Sequence, residues 1–123
     1  MRTMLYGALL MIASSGCRND SHASEATLRS PEARARGRKL FAEHCALCHG
    51  ENADGRGRRS EGLVGRPADF TSAGWRAAMT PDRVFTVIRE GKPGTSMPAW
   101  RSLDNRDVAD LTAYVLSVHA EGP

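Results

Sequence analysis

The amino-acid sequence predicts a small all-α domain with about three main helices. Three stretches combine helix-capping residues with good helix formers or with apolar residues at helical spacing, and glycine-rich loops separate them. No stretch of useful length alternates apolar and polar residues as a half-buried strand does. The 123 residues suffice for one domain, and its core is modest because only 6% of the residues are aromatic.

The first predicted helix begins at Pro31 and continues through the good helix formers of residues 32–43. Proline is favoured at the first helical position, where its missing N–H would have no partner in any case. The stretch 50–67 contains five glycines and is predicted to be a loop.

The other two predicted helices have matching start signals. Thr80 and Asp104 are the predicted N-caps, Pro81 fits the first helical position, and Gly91 can end the second helix. Apolar residues follow at helical spacing in both stretches, which are Val84, Val87 and Ile88 in the second and Val108, Leu111, Val115 and Val118 in the third.

Residues 1–16 have the layout of a secretory signal peptide. Arg2 gives a positive start, residues 5–13 form an apolar run, and small residues follow. The run is about half of the roughly 20 apolar residues that a membrane-spanning helix needs. We therefore expect an exported protein.

Cys17 directly follows the small residues, in an arrangement that resembles a bacterial lipoprotein processing site. Lipidation at this cysteine would give a periplasmic protein anchored to a membrane, although Ser14 departs from the leucine that is usual there. Ordinary cleavage nearby is the alternative. We expect residues 17–30 to form a flexible tether, residues 31–120 to form the domain and residues 121–123 to be a tail.

Basic residues occur in two clusters in a chain of formal net charge +3. Five basic residues and one acid lie between Arg29 and Lys39, and four basic residues and one acid lie between Arg56 and Arg66. We interpret both clusters as solvated faces first and as patches that steer a charged partner second. The export signal argues against nucleic acid as a partner.

Cys45-Ala46-Leu47-Cys48-His49 is a C-x-x-C-H sequence, the signature of covalent c-type haem attachment. Two thiols at this spacing can reach two vinyl-derived positions on one edge of a porphyrin, and His49 then reaches the iron as an axial ligand. The motif occurs once, which predicts one covalent haem c, with its iron, per chain.

Three other chemistries use a pair of cysteines at this spacing. A redox-active dithiol belongs near a βαβ pattern, which is not present. A disulfide between Cys45 and Cys48 would be stable in an oxidising compartment. A zinc site usually needs four ligands, whereas the remaining cysteine, Cys17, lies at the leader.

Residues 37–119 resemble a class I monohaem cytochrome c. Gly37-Arg38-Lys39-Leu40-Phe41 matches the family's G-x-x-x-F/Y pattern just before the haem motif. In that family this helix crosses the C-terminal helix at close range, and Gly37 and Phe41 share a helix face. The resemblance implies a small cytochrome c fold wrapped around one covalent haem, with Tyr114 as the packing partner of Phe41.

The resemblance also implies a methionine as the second axial ligand. Met97 lies in Gly94-Thr95-Ser96-Met97-Pro98-Ala99-Trp100, which resembles the family's M-P-x-aromatic loop. Met79 is the competing methionine and is expected to pack against Val84 instead. Among the remaining histidines, which are His22, His44 and His119, we consider only His119 as an alternative ligand.

Three further residues are expected near the haem on the same grounds. A proline carbonyl orients the proximal histidine in related proteins, and Pro67 is the candidate for that role here. Trp75 and Trp100 are expected to pack on the haem or to bond a propionate, and they fit the core equally well.

The implied function is that of a one-electron carrier with His/Met axial ligation in a periplasmic or membrane-associated redox chain. Two filled axial positions leave no open site, so we expect redox protein partners, no small-molecule substrate and no enzymatic activity. The alternative is a dedicated haem c subunit of a larger dehydrogenase or terminal reductase complex.

Overall fold

The computed structural model describes residues 22–118, whose regular elements are all helices. The six helices are α1 (Glu25–Arg29), α2 (Pro31–His44), α3 (Ala46–His49), α4 (Ala73–Ala78), α5 (Pro81–Glu90) and α6 (Asn105–Ser117). The prediction of an all-α domain is therefore confirmed, and the three long helices α2, α5 and α6 are those that the sequence predicts. No helix within this range is long and apolar enough to cross a membrane.

Helices α5 and α6 begin at the capping residues that the sequence indicated. The side chain of Thr80 accepts a hydrogen bond from the Arg83 N–H at the start of α5, and Asp104 accepts one from the Asp107 N–H at the start of α6. Gly91 follows α5 with a φ of 74°. Each cap satisfies a backbone donor that the helix itself leaves unpaired.

The segment preceding α2 is not a free tether in the described part of the chain, so this expectation is wrong for residues 24–30. Ser24 caps α1, and the Arg34 guanidinium donates to the Leu28 carbonyl oxygen at 2.9 and 3.1 Å. Ala23 is buried, and Leu28 packs against the core. Its polar composition concealed a capped turn that lies against α6.

Several sequence expectations lie outside the described residues. They are the signal peptide at 1–16, lipidation of Cys17, the first part of the tether, the His119 alternative and the tail at 121–123.

Helices α2 and α6 cross at Gly37, as the resemblance implied. A Cβ atom at this position would lie 2.0 Å from the Asp110 carbonyl oxygen and 2.8 Å from the Tyr114 Cβ. Only hydrogen at the Gly37 α-carbon allows this approach. The Phe41 and Tyr114 rings meet one turn further along, with centroids 5.2 Å apart.

An ion pair fixes the same crossing from its side. The Arg36 Nε donates to Asp110 Oδ2 at 2.6 Å, and a terminal nitrogen donates to Oδ1 at 3.0 Å. The Asp110 side chain is only 2% exposed, so its charge depends on this paired donor.

We predict that Gly37→Ala destabilises the holoprotein, because the new methyl group must displace the α6 backbone. Overpacking of this kind costs about 1–3 kcal/mol or more of unfolding free energy. Gly74→Ala is the matched control, since its Cβ would meet only Ser72 Oγ, at 3.7 Å. Denaturant titration of both variants measures the difference, and equal stabilities would contradict the close approach of α2 and α6.

Candidate haem site

The haem-attachment motif forms a tight turn made of Cys45, which joins α2 to α3, and the four residues of α3. Cys45 ends α2, and its carbonyl oxygen accepts hydrogen bonds from the N–H groups of Cys48 at 3.1 Å and His49 at 2.9 Å. The two cysteines are therefore one helical turn apart, on the same short element as His49. They are not joined by a disulfide.

The loop that follows is bonded to the outside of this turn. The N–H groups of Gly55, Gly57 and Arg59 donate to the carbonyl oxygens of His49, Cys48 and Leu47 at 2.7, 3.1 and 2.9 Å. A Cβ at position 57 would lie 2.3 Å from the Leu47 oxygen, so this approach requires glycine. The loop thereby satisfies carbonyl groups that the short helix α3 cannot use.

His49 is held by a single backbone carbonyl. Its Nδ1 lies 3.1 Å from the Ala68 carbonyl oxygen. Because a carbonyl oxygen can only accept, Nδ1 carries the proton and Nε2 keeps the lone pair that a metal needs. Burial lowers the pKa of His49, while the bond to Ala68 opposes that shift, so the neutral ligating form is favoured.

The expectation that Pro67 supplies this carbonyl is wrong by one residue. The Ala68 oxygen bonds His49, and both it and the Pro67 oxygen lie beside Gly55, where a Cβ would approach them to 3.3 and 2.8 Å.

Phe70 is a site residue that the sequence reasoning missed. Its ring stacks on the His49 imidazole with centroids 4.7 Å apart and an interplanar angle of 22°. The Phe70 N–H donates to the carbonyl oxygen of Ala53, a fully buried residue with a φ of 57°. The available signal is that Phe70 is the only aromatic residue in the long loop of residues 50–72, which joins α3 to α4.

A cavity of about 500 Å³ opens beside His49. It brings together Cys45, His49 and Met97, three of the four predicted site residues, whereas Cys48 lies in the same turn and is not part of the lining. The walls are mainly apolar and come from every long helix. They include Phe41 of α2, Val84, Val87 and Ile88 of α5, and Leu111 and Val115 of α6.

The loop that carries Met97 is fixed to its surroundings by backbone groups. The Met97 N–H donates to Thr95 Oγ1 at 3.2 Å, and the Met97 carbonyl accepts from the Lys92 N–H at 3.1 Å. Ser96 and Val64 exchange two hydrogen bonds: the Val64 N–H donates to Ser96 Oγ at 2.8 Å and the Ser96 N–H donates to the Val64 oxygen at 2.9 Å. Met97 thus lies in an ordered loop at the cavity.

The remaining candidates divide into two groups. Met79 and Trp75 also line the cavity, and the Trp75 ring packs edge-on against Phe70 at 4.7 Å. Met79 is therefore a cavity residue as well as the residue before the α5 cap. Trp100 and His44 lie elsewhere, with their rings 5.2 Å apart, and Trp100 is not a haem-cavity residue here.

The donor set fits a covalently bound haem. Burial, and to a smaller extent Cys48, raises the pKa of the Cys45 thiol to about 12, so it remains a neutral thiol. The neutral thiol of Cys45, the neutral imidazole of His49 and the thioether of Met97 lie at one apolar cavity. A thiol suits attachment to the edge of the haem ring, and an imidazole and a thioether suit its two axial positions. No cluster of three or more His, Cys, Asp or Glu side chains within residues 22–118 could hold a bare metal ion.

Comparisons with known proteins agree on one family. The family model described as cytochrome c oxidase, cbb3-type, subunit III matches residues 32–115. The cbb3-type oxidase subunit CcoP of Rubrivivax gelatinosus is 35% identical over 99 residues, which is 80% of this chain and 30% of that protein. Cytochrome c55X of Paracoccus denitrificans is 35% identical over 68% of this chain and 73% of its own length.

The chain therefore spans less than a third of the length of the CcoP relative. Solved structures agree on the fold. The c-type cytochrome KustC0563 has a TM-score of 0.55 at 32% identity, covering 67% of this chain and 95% of that one. A chain of the reducing HAO-like protein complex of Kuenenia stuttgartiensis has a TM-score of 0.66 at 26% identity, covering 72% and 44%. The chain belongs to the c-type cytochrome family described as cytochrome c oxidase, cbb3-type, subunit III.

Proposed function

We propose that the protein is a one-electron carrier that holds a single haem c. The observation that carries this proposal is the convergence of Cys45, His49 and Met97 on one apolar cavity. Cys45 and Cys48 would hold the ring edge as thioethers, and His49 and Met97 would occupy the axial positions. Haem c supplies the one-electron chemistry of its iron.

The protein's own residues do three things in this role. The Ala68 carbonyl keeps the proton on Nδ1 of His49, so that Nε2 is left in its unprotonated, ligating form. Phe70 stacks on the imidazole and limits its rotation. Apolar side chains of α5 and α6 exclude water from the cavity, which favours the less charged oxidation state.

Occupied axial positions would leave no place for a substrate at the iron. We therefore infer that the protein has no enzymatic activity of its own and no small-molecule substrate. Its partners would be redox proteins that donate or accept single electrons.

A second candidate function is that of a dedicated haem c subunit in a larger redox complex. The observation in its favour is that several relatives are named as subunits of cbb3-type oxidases. A terminal reductase or dehydrogenase would serve equally well as the host complex. Co-purification from membranes with haem staining of each band separates a subunit from a free carrier.

Export and a lipid anchor complete the proposal. The apolar run at 5–13 and Cys17 after the small residues support a periplasmic lipoprotein. Lipidation would confine the carrier near membrane partners without a spanning helix.

We predict one covalent haem per chain. After acid-acetone extraction the colour should stay with the protein, and the intact mass should include one haem in addition to the mature polypeptide and any lipid at Cys17. The Cys45→Ala, Cys48→Ala double variant should lose the colour. Haem that moves into the organic phase from the unmodified protein would refute covalent attachment.

We predict that Met97, and not Met79, is the second axial ligand. The ferric protein should show the weak near-infrared sulfur-to-iron band, which Met97→Ala should abolish. Met79→Ala is the matched control, because both methionines line the same cavity. Loss of the band in Met79→Ala and its persistence in Met97→Ala would reverse the assignment.

We predict that Cys17→Ser releases the holoprotein into the soluble fraction with its haem spectrum intact. A single acyl chain binds membranes only marginally, so stable anchoring needs several chains, as bacterial lipoprotein processing adds. Intact-mass analysis checks the modification directly. A mature N-terminus without added lipid mass would show an unanchored periplasmic cytochrome instead.

A further inference from the structure

Few residues separate Cys17 from the folded domain. Ala23 is only 6% exposed and packs in the hydrophobic core, and Ser24 caps α1. The residues between Cys17 and Ala23 are those numbered 18–22. Even fully extended, this stretch spans at most about 20 Å, whereas a domain of this size is roughly 30 Å across. A lipid at Cys17 would therefore keep the surface around Ala23 near the bilayer and the far side of the domain away from it.

A polar recess of about 190 Å³ lies where this stretch enters the domain. His22 and Ser24, the two sequence neighbours of Ala23, both line it. The other lining residues come from α1, α2 and α6, and they are Thr27, Arg36, Asn105, Arg106, Ala109 and Asp110. The recess therefore contains imidazole, hydroxyl, amide and guanidinium groups, on the side of the domain that a lipid at Cys17 would hold near the membrane.

The unpaired charge at this recess is positive. Among the described lining residues Asp110 is the only acid, and its buried carboxylate is already paired with Arg36. The Arg36 side chain remains 43% exposed. Arg106 is exposed and makes no hydrogen bond or ion pair through its side chain within residues 22–118. The Arg106 guanidinium is thus available to an anion, and guanidinium geometry matches that of phosphate.

The recess and the haem cavity lie on opposite faces of α2 and α6. The residues of α6 that line the recess are Asn105, Arg106, Ala109 and Asp110, and those that line the cavity are Leu111 and Val115. At 3.6 residues per turn, the mean directions of these two sets differ by roughly 170° around the helix axis. On α2, Arg36 lines the recess, whereas Phe41 and Cys45 line the cavity. The two helices therefore separate the recess from the haem site.

We propose that the face around this recess is a membrane-facing surface, which contacts the phosphate headgroups of an anionic bilayer. This membrane-facing surface rests on the proposed function, because it needs the lipid anchor at Cys17. Arg106 and Arg36 would bind headgroup phosphates, and the hydroxyl and amide groups of the recess would add hydrogen bonds. Helices α2 and α6 would then stand between the bilayer and the haem. Electrons would be exchanged on the side away from the lipid, with soluble proteins or with domains that extend beyond the bilayer.

A bilayer fits this surface better than a second protein does. The centre of a stable protein interface is apolar and rich in aromatic residues. The large hydrophobic residues exposed in the described part of the chain are Leu47 and Val64, and neither lines the recess. A layer of phosphate headgroups needs only polar and cationic contacts here, because the lipid at Cys17 would supply the membrane affinity.

The reactivity of an introduced thiol tests the orientation. The three native cysteines would be blocked in the lipidated holoprotein, by lipid at Cys17 and by haem at Cys45 and Cys48. A cysteine introduced by Arg106→Cys is then the free thiol, and Arg36 keeps a guanidinium at the recess. Val64→Cys is the matched control, because Val64 is 64% exposed and lines the haem cavity. The rate of modification by a polyethylene-glycol maleimide is measured on phosphatidylglycerol vesicles and again in a Cys17→Ser background.

The thiol at position 106 should react several-fold more slowly in the lipidated protein than in the Cys17→Ser background, and the thiol at position 64 should react equally fast in both. Equal rates at position 106 would show that the domain turns freely, which would overturn the membrane-facing surface. Slowing confined to position 64 would place the opposite face on the bilayer. Slow reaction at position 106 in the Cys17→Ser background without vesicles would mean that another protein chain covers this face, and would also overturn the bilayer contact.

Charge reversal tests the headgroup contact itself. Arg106→Glu is compared with Arg58→Glu in the Cys17→Ser background, by sedimentation with phosphatidylglycerol vesicles at low salt. Arg58 is the matched control, because it is exposed, has no ion pair within residues 22–118 and does not line the recess. Arg106→Glu should weaken vesicle binding by about fivefold or more, and Arg58→Glu by no more than about twofold. Equal weakening would indicate only an effect of net charge and would overturn the contact.

Intact-mass analysis of the same samples separates the two proposals. A mature chain without lipid mass at Cys17 would refute the anchor in the proposed function, and the membrane-facing surface with it. A lipidated chain whose thiol at position 106 stays reactive would overturn the membrane-facing surface alone. The haem spectrum of each variant shows that the holoprotein is intact in these measurements.

Discussion

The close backbone contact between α2 and α6 at Gly37 determines where the rest of the site can lie. With the helices this near, Phe41 meets Tyr114 across the crossing, and the end of α2 delivers Cys45 to the cavity. Helix α6 supplies Leu111 and Val115 to the same wall. The buried carboxylate of Asp110 and its Arg36 partner fix the relative position of the two helices, because an unpaired charge there would be costly.

Backbone polar groups hold the remaining part of the site. The long loop buries few large side chains, and its position depends on hydrogen bonds to the carbonyls of the attachment turn. One carbonyl of that loop, from Ala68, then sets the protonation state of His49. The same loop therefore donates hydrogen bonds to the carbonyl groups of the attachment turn and orients the His49 ring. A change in its length would affect both.

The sequence predicts the long helices well. It predicts poorly those parts of the structure that backbone hydrogen bonds determine. Helices α2, α5 and α6 could be predicted because each combines a cap with ten or more residues of consistent pattern. Helices α3 and α4 have four and six residues, too few for a period to show. The sequence predicts a tether where α1 lies, because the helix has only five residues and serine both caps helices and marks loops.

The same contrast between side-chain signals and backbone geometry holds for the candidate site. Cys45 and His49 are predicted from the C-x-x-C-H motif and Met97 from the family resemblance. Any residue type could supply the Ala68 carbonyl, so no side-chain signal distinguishes it from Pro67. The two arginine clusters look alike in sequence, and only the folded contacts of Arg34 and Arg36 separate them from Arg58 and Arg59. Spacing likewise could not show that Met79 shares a cavity with Met97.

The paired hydrogen bonds between Val64 and Ser96 bear on which small molecules such a site tolerates. They tie the cavity rim to the residue beside Met97, and the Lys92 N–H holds the Met97 carbonyl as well. If a haem is bound as proposed, with Met97 on its iron, a diatomic gas such as nitric oxide or carbon monoxide would have to move the thioether aside. If the loop moved with it, each of these bonds would be broken at about 1 kcal/mol apiece. In that case the pairing would work against gas binding and would favour a coordination sphere that keeps its shape in both oxidation states.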